Sequence, residues 1–184
     1  HALYQAGELD AVQRVLIHAA AGGVGHLAVQ FATNTGAHVI GTASGRNEAF
    51  LRDLGVDEFV NYREKRFENV IDDVDLVLDA IGGEVIERSA QVVKSGGVIV
   101  TLPDQPAADT VERFQAEHDV AVRFFDVLTE SATATLQSVT ERIESGVLEP
   151  TISDTYQLSE AAQALDTSQD GHVRGKLVLD VTND

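Results

Sequence analysis

The sequence predicts an α/β fold, a doubly wound parallel sheet with strand order 3-2-1-4-5-6 and helices on both faces. Three observations predict it. Short β-branched and aliphatic runs alternate with longer stretches of helical period along the 184 residues, the pattern of a parallel sheet with crossover helices. A turn of small residues, 19–25, joins the first apolar run to the first helical stretch. No internal repeat or long linker divides the chain, whose length fits a single domain with a full core.

In order along the chain, residues 14–18, 38–42, 58–61, 75–79, 98–102 and 120–125 read as the six strands. Between them, 24–35, 47–54, a stretch around 67–71, 83–93 and 107–117 read as helices. Residues 132–145 form a further helix, and 175–181 one more strand outside the series of six. The opening residues, HALYQAGELD, read as the tail of a helix already under way. That start, on His1 rather than methionine, raises the expectation of a piece of a longer chain.

Composition narrows the function classes. The formal net charge is −17, from 30 Asp and Glu against 13 Lys and Arg, which argues against sequence-independent contact with nucleic acid or with anionic lipid. The acids are scattered along the whole chain, and lysine occurs only at Lys65, Lys94 and Lys176. A solvated acidic shell of this kind fits a protein adapted to high salt, where the Debye length shrinks to about 3 Å at 1 M. A melting temperature that rises from dilute buffer to molar salt is the expected sign of it. With no cysteine, neither a disulfide framework nor a cysteine zinc cage can come from these residues. No apolar run approaches the roughly 20 residues of a membrane span, and the expectation is a cytoplasmic protein.

The segment VLIHAAAGGVGHLAVQFA sets a buried strand, a small-residue turn and a helix in immediate succession. That arrangement suits a pyrophosphate, with helix amides and the positive dipole end facing the anion. Ala21, Gly22, Gly23, Val24 and Gly25 are the contact candidates. Gly22 lets the backbone approach the oxygens, and Gly25 lets the helix pack against the strand. Against the Rossmann pattern G-x-G-x-x-G, the first glycine is Ala20. At the end of the second run, Ala43 stands where an acid would receive the ribose hydroxyls of NAD. Ser44 and Arg46 follow, and a guanidinium suits a 2′-phosphate, so the expected cofactor is NADP(H). An S-adenosylmethionine-dependent methyltransferase, the rival for a glycine turn, would want an acid at position 43.

With those loops in place, the chain resembles the cofactor domain of the medium-chain dehydrogenase/reductase superfamily, in its quinone-oxidoreductase-like branch. The carrying segments are the glycine loop in its AAGGVG form, then GAHVIGTAS, LGVDEFVNYRE, DVDLVLDAIGG, VVKSGGVIVTL and GHVRGKLVLDV, in that order. The resemblance implies an NADPH-dependent oxidoreductase that delivers hydride to a quinone, enone or carbonyl. It also implies a preceding GroES-like, mostly β domain that supplies the acceptor pocket and in some members carries zinc, with residues 1–10 and 171–184 adjoining it. A zinc-type alcohol dehydrogenase and a non-catalytic NADPH-sensing or partner-binding module stay open as alternatives.

Further contacts come from the same resemblance. Tyr62 lies beside the adenosine phosphate, Ala80 and Gly82 near the nicotinamide ribose, and Leu102 beside the ring. Arg174 and Lys176 reach the cofactor from the returning segment. No side chain is assigned acid or base duty, and His18 and His26 read as structural. There is no Gly-x-Ser-x-Gly elbow, no Gly-Lys-Ser/Thr phosphate loop and no His-Glu-x-x-His. Residues Val120 through Phe125 would leave an apolar sheet edge on show, and relatives that look similar pair this edge in a homodimer.

Overall fold

The computed structural model describes residues 1–126 and 133–182. Its central sheet has six parallel strands: β1 (Arg14–Ile17), β2 (His38–Ala43), β3 (Glu58–Asn61), β4 (Val74–Asp79), β5 (Val93–Thr101) and β6 (Ala121–Phe124). They lie in the order β3-β2-β1-β4-β5-β6, as the sequence predicts. The crossing helices are α1 (Gly25–Thr35), α2 (Glu48–Asp53), α3 (Glu84–Ser89), α4 (Ala108–His118) and α5 (Thr133–Glu144). Position 132, the expected start of α5, lies outside the described residues.

Alternation along the strands explains the layering. Val15 and Ile17 of β1 join Ala28, Val29 and Ala32 of α1 in one buried cluster, whereas Leu16 joins Phe67, Ile86 and Phe114 on the opposite face. Both faces of the central strands are therefore dry, and the apolar runs 15–17 of β1 and 76–78 of β4 are buried throughout. Gly36 closes α1 in the left-handed conformation at φ 91°, and its amide caps Ala32 and Thr33.

Four features depart from the sequence reading, the first being that the stretch around 67–71 forms only a single 3-10 turn, Phe67–Asn69. The opening residues Ala2–Ala6 form one wide helical turn. The third helix stops at Ser89 and β5 begins at Val93, because a register shift between Val74 and Leu76 lets Val93 pair with Val74 ahead of the regular ladder. The chain also returns through β7 (Ile152–Gln157), α6 (Ala161–Gln169) and β8 (Lys176–Asp180), with β7 and β8 forming a separate parallel pair. Only β8 was expected.

The return is fastened by a polar stripe on α1. The Asn34 side chain donates to the Val147 carbonyl, Gln30 exchanges bonds with both backbone groups of Glu149, and His26 Nε2 accepts from the Thr151 amide. Four helical residues rise about 6 Å and two extended residues span about 6.6 Å, so positions 26, 30 and 34 stay in step with 151, 149 and 147. Among the described residues, no helix is long and apolar enough to cross a membrane.

Candidate dinucleotide site

The turn between β1 and α1 is folded around its glycines. A Cβ on Gly25 would sit 2.2 Å from the Ala19 carbonyl oxygen and 2.7 Å from the Ala20 Cα, so no other residue fits there. The left-handed residue of the turn is Ala19, at φ 50°. Ala20, which stands in place of the motif's first glycine, is fully buried and donates its amide to the Thr42 carbonyl. Gly41 makes the room for it, since a Cβ on Gly41 would meet the Ala20 methyl at 3.2 Å. The amino terminus of α1 lies at the carboxyl edge of the sheet, where the His26 amide donates to the Gly22 carbonyl at 3.1 Å and the Ala28 amide to that of Val24 at 3.0 Å.

The return segment locks the loop from outside. Gly175 donates its amide to the Ala21 carbonyl at 2.9 Å, and the Lys176 ammonium lies 3.1 Å from where a Cβ on Gly23 would stand. His26 Nδ1 donates to the Gly22 carbonyl at 2.8 Å while its Nε2 accepts from Thr151. This pair of bonds fixes a neutral ring, and burial, followed by the Lys176 charge, pushes its pKa down. Gly23, Val24 and Lys176 line an apolar cavity of about 570 Å³ that reaches Leu78 of β4.

A second cavity, of about 110 Å³, lies at the ends of β2 and β3. Ala21, Gly22, Ser44, Arg46 and Tyr62 line it, with residues 171–173 arching over. Ser44 is buried and accepts from the Asn47 side chain, while Tyr62 is half exposed. The Arg46 guanidinium donates to the His172 carbonyl. Arg174 is set apart. Its guanidinium bonds Asn47 Oδ1 and the Arg46 carbonyl and lies 4.9 Å over the Phe50 ring, bracing the turn after β2 from behind.

Across the sheet, the fully buried Asp79 organises the ends of β4 and β5. Its Oδ1 accepts the amides of Ile81 and Gly82, its Oδ2 accepts the Thr101 hydroxyl, and its carbonyl accepts the Leu102 amide. Ala80, Gly82 and Leu102 are thereby held at the carboxyl edge, where ligands bind in open α/β sheets. Gly82, at φ 79°, makes the turn possible.

His18 belongs to the core. It lies between the Thr42 and Ser89 hydroxyls at 3.1 and 3.0 Å and packs against Phe67. Burial, assisted by the Arg88 charge, lowers its pKa to about 3. Arg88 makes a bidentate pair with Glu68, whose pKa the guanidinium draws down to about 2.

Sequence reasoning missed His172, Arg63, the anchoring role of Asp79 and the tether through His26. The signal for Asp79 was present as a carboxylate three residues before Gly82, the spacing of a side chain that caps its own turn. Nothing local in the sequence announces the tether, which closes between residues 125 positions apart.

Residues 54–179 match the family model described as zinc-binding dehydrogenase. The chain belongs to that family. Within the medium-chain dehydrogenase/reductase superfamily, this zinc-binding dehydrogenase homologue falls with the quinone-oxidoreductase-like branch. The quinone oxidoreductase of Coxiella burnetii is 39% identical and superposes with a TM-score of 0.91, over 98% of this chain and 56% of that one. The CurK enoyl reductase is 29% identical, with a TM-score of 0.82, over 97% and 59%. Polyketide synthase GfsB of Streptomyces halstedii is 36% identical over 98% of this chain and 3% of its own. The mitochondrial NAD(P)H oxidoreductase RTN4IP1 of Danio rerio is 30% identical over 95% and 51%. The chain thus spans about half the length of such free-standing relatives.

Despite the family's description, the residues do not fit a zinc ion. The sequence has no cysteine, and no group of three His, Asp or Glu among the described residues could hold a metal.

Proposed function

We propose that the chain is the NADPH-binding half of an oxidoreductase that transfers hydride to a quinone, an enone or a carbonyl. The observation that carries the choice of cofactor is the cavity at the ends of β2 and β3. Ala43 leaves no carboxylate to take ribose hydroxyls, and Ser44, Arg46 and Tyr62 offer donors at the same place. Ala21 to Gly25 would hold the pyrophosphate. Ala80, Gly82 and Leu102 would flank the nicotinamide end, with Lys176 reaching in from the return segment.

Bound there, the cofactor supplies the hydride, and the chain's own residues bind, orient and exclude water. A second, mostly β domain would shape the acceptor pocket, so this chain alone is expected to bind cofactor and turn over little. We further propose a homodimer through the edge strand from Val120 to Phe125, since every residue from Ala121 to Phe124 is only half-buried in a single copy. A monomeric mass by light scattering at assay concentration and salt would remove that part.

Titration of the chain with NADPH and with NADH tests the cofactor assignment. NADPH is expected to bind at least about tenfold more tightly, the worth of one charge-assisted hydrogen bond, and Arg46→Ala to abolish the difference. Equal affinities for the two dinucleotides would overturn it.

A further inference from the structure

Cations are scarce here, and most are spent on carboxylates. Arg14, Arg52, Arg66, Arg88, Lys94, Arg113 and Arg123 all sit in ion pairs. Among the described residues, Arg46 and Arg63 do not, nor do Lys65, Arg142, Arg174 and Lys176. In a chain with 30 acids against 13 cations, Arg46 and Arg63 avoid every carboxylate among the described residues and converge on one residue, His172. Arg46 gives an N–H to its carbonyl, and Arg63 gives one to its ring Nε2 at 2.9 Å. The ring is held as an acceptor because its Nδ1 donates to the Asp170 carbonyl.

The backbone forces this convergence. Ala43 and Asn61 are paired neighbours at the ends of β2 and β3, and the Tyr62 amide donates to the Ala43 carbonyl. The turn after β2 touches the end of β3, since a Cβ on Gly45 would meet the side-chain Nδ2 of Asn61 at 2.8 Å. Arg46 and Arg63 therefore rise side by side, one lining the small cavity and the other 5.9 Å from the ring of Tyr62, which also lines it. Two guanidiniums bridged only by neutral acceptors repel each other, and each keeps further N–H donors in hand. An anion with several oxygens placed between them would relieve that repulsion and take up the donors.

We propose that Arg63 is a second specificity-determining cation, which with Arg46 forms a two-arginine clamp for the 2′-phosphate of the cofactor. The proposal rests on the NADPH reading above. His172 holds the two side chains over the cavity before the ligand arrives, acting as a positioning residue, and Arg63 touches the phosphate directly.

Calorimetric titration of the chain with adenosine 2′,5′-bisphosphate and with adenosine 5′-monophosphate isolates this end of the site. Wild type is expected to prefer the bisphosphate. Arg63→Gln should cut that preference about tenfold while changing monophosphate affinity less than about twofold, and Arg63→Lys should restore part of it. Arg63 is exposed, so an unchanged melting temperature is expected alongside. His172→Ala, which removes the ring that orients Arg63 but keeps the carbonyl, should lower the preference by less than Arg63→Gln does.

If Arg46→Gln abolishes the preference and Arg63→Gln leaves it intact, the clamp is wrong and the NADPH reading stands. Should His172→Ala lose as much as Arg63→Gln, Arg63 is only a tether and direct contact is overturned. A wild-type chain with no preference for the bisphosphate sinks both the clamp and the reading beneath it.

Discussion

The central sheet and the return segment are built by different forces. In β1 and β4 nearly every side chain is removed from water on both faces, and burial of apolar area, at about 25 cal/mol per Å², dominates. In β7 and β8, by contrast, Ile152, Val178 and Leu179 stay substantially exposed, and Tyr156 is the buried residue of its strand. That pair is fastened to the sheet by named hydrogen bonds from His26, Gln30, Asn34 and Gly175. Apolar burial spreads the stability of the first region over many side chains. The second depends on each of a few bonds worth about 1 kcal/mol net apiece.

The largest expected effect is steric and strikes where the two regions meet. Gly25→Ala forces a methyl against the backbone of Ala19 and Ala20, which cannot yield as a flexible side chain would. Displacing the turn should cost about 3 kcal/mol of stability and cofactor binding with it. Gly23→Ala meets chiefly the mobile end of Lys176 and should cost about 1 kcal/mol. Equal melting temperatures for the two variants would show that the turn is far softer than its contacts imply.

Acid should separate the regions next. The pKa of His18 is lowered from 6.5 to about 3 in the folded chain, so the unfolded state binds the extra proton between those values. Stability is therefore complete above pH 6.5 and falls as pH drops, at up to about 1.4 kcal/mol per pH unit, or about 2–3 kcal/mol by pH 4.5. Glu68, drawn down from 4.5 to about 2, adds to the loss only below pH 4.5. Urea midpoints across this range check the slope. His18→Gln, with an amide between the same two hydroxyls, should reduce the slope above pH 4.5 and leave the part due to His26, whose pKa burial also lowers; an unchanged slope would assign the acid sensitivity elsewhere.

The same contrast explains what could be read in advance. Burial leaves a periodic trace in sequence, so the six strands and their order were legible, and so was the glycine loop, whose small residues answer a local steric demand. The polar stripe leaves no such trace. His26 read as structural, but its partner, and the bonds of Gln30 and Asn34 at the same spacing of four, lie on residues more than 100 positions away. β7, written Ile-Ser-Asp-Thr-Tyr-Gln, is too polar to read as a core strand. Arg174 was legible as a cation near the site, but its stacking on Phe50 is a tertiary fact. Arg63 sat inside a segment already marked for Tyr62. What it lacked was its partner, His172, which only the return of the chain supplies.

Gln30→Ala tests the division most directly. It removes both bonds to Glu149 and leaves those of His26 and Asn34 in place, for a loss of about 1–2 kcal/mol. If the return segment is a separately fastened unit, hydrogen exchange should quicken at the amides of residues 147–157 and 176–180 while those of β1 and β4 keep their protection. Arg46, through the His172 carbonyl, and Arg174, through Asn47, join the turn after β2 to the loop before β8, so loosening that loop should also weaken the adenosine end with no site residue changed. Uniform acceleration across β1, β4 and β7 would mean one cooperative unit, and the distinction between apolar sheet and hydrogen-bonded return would then describe how the fold is written but not how it opens.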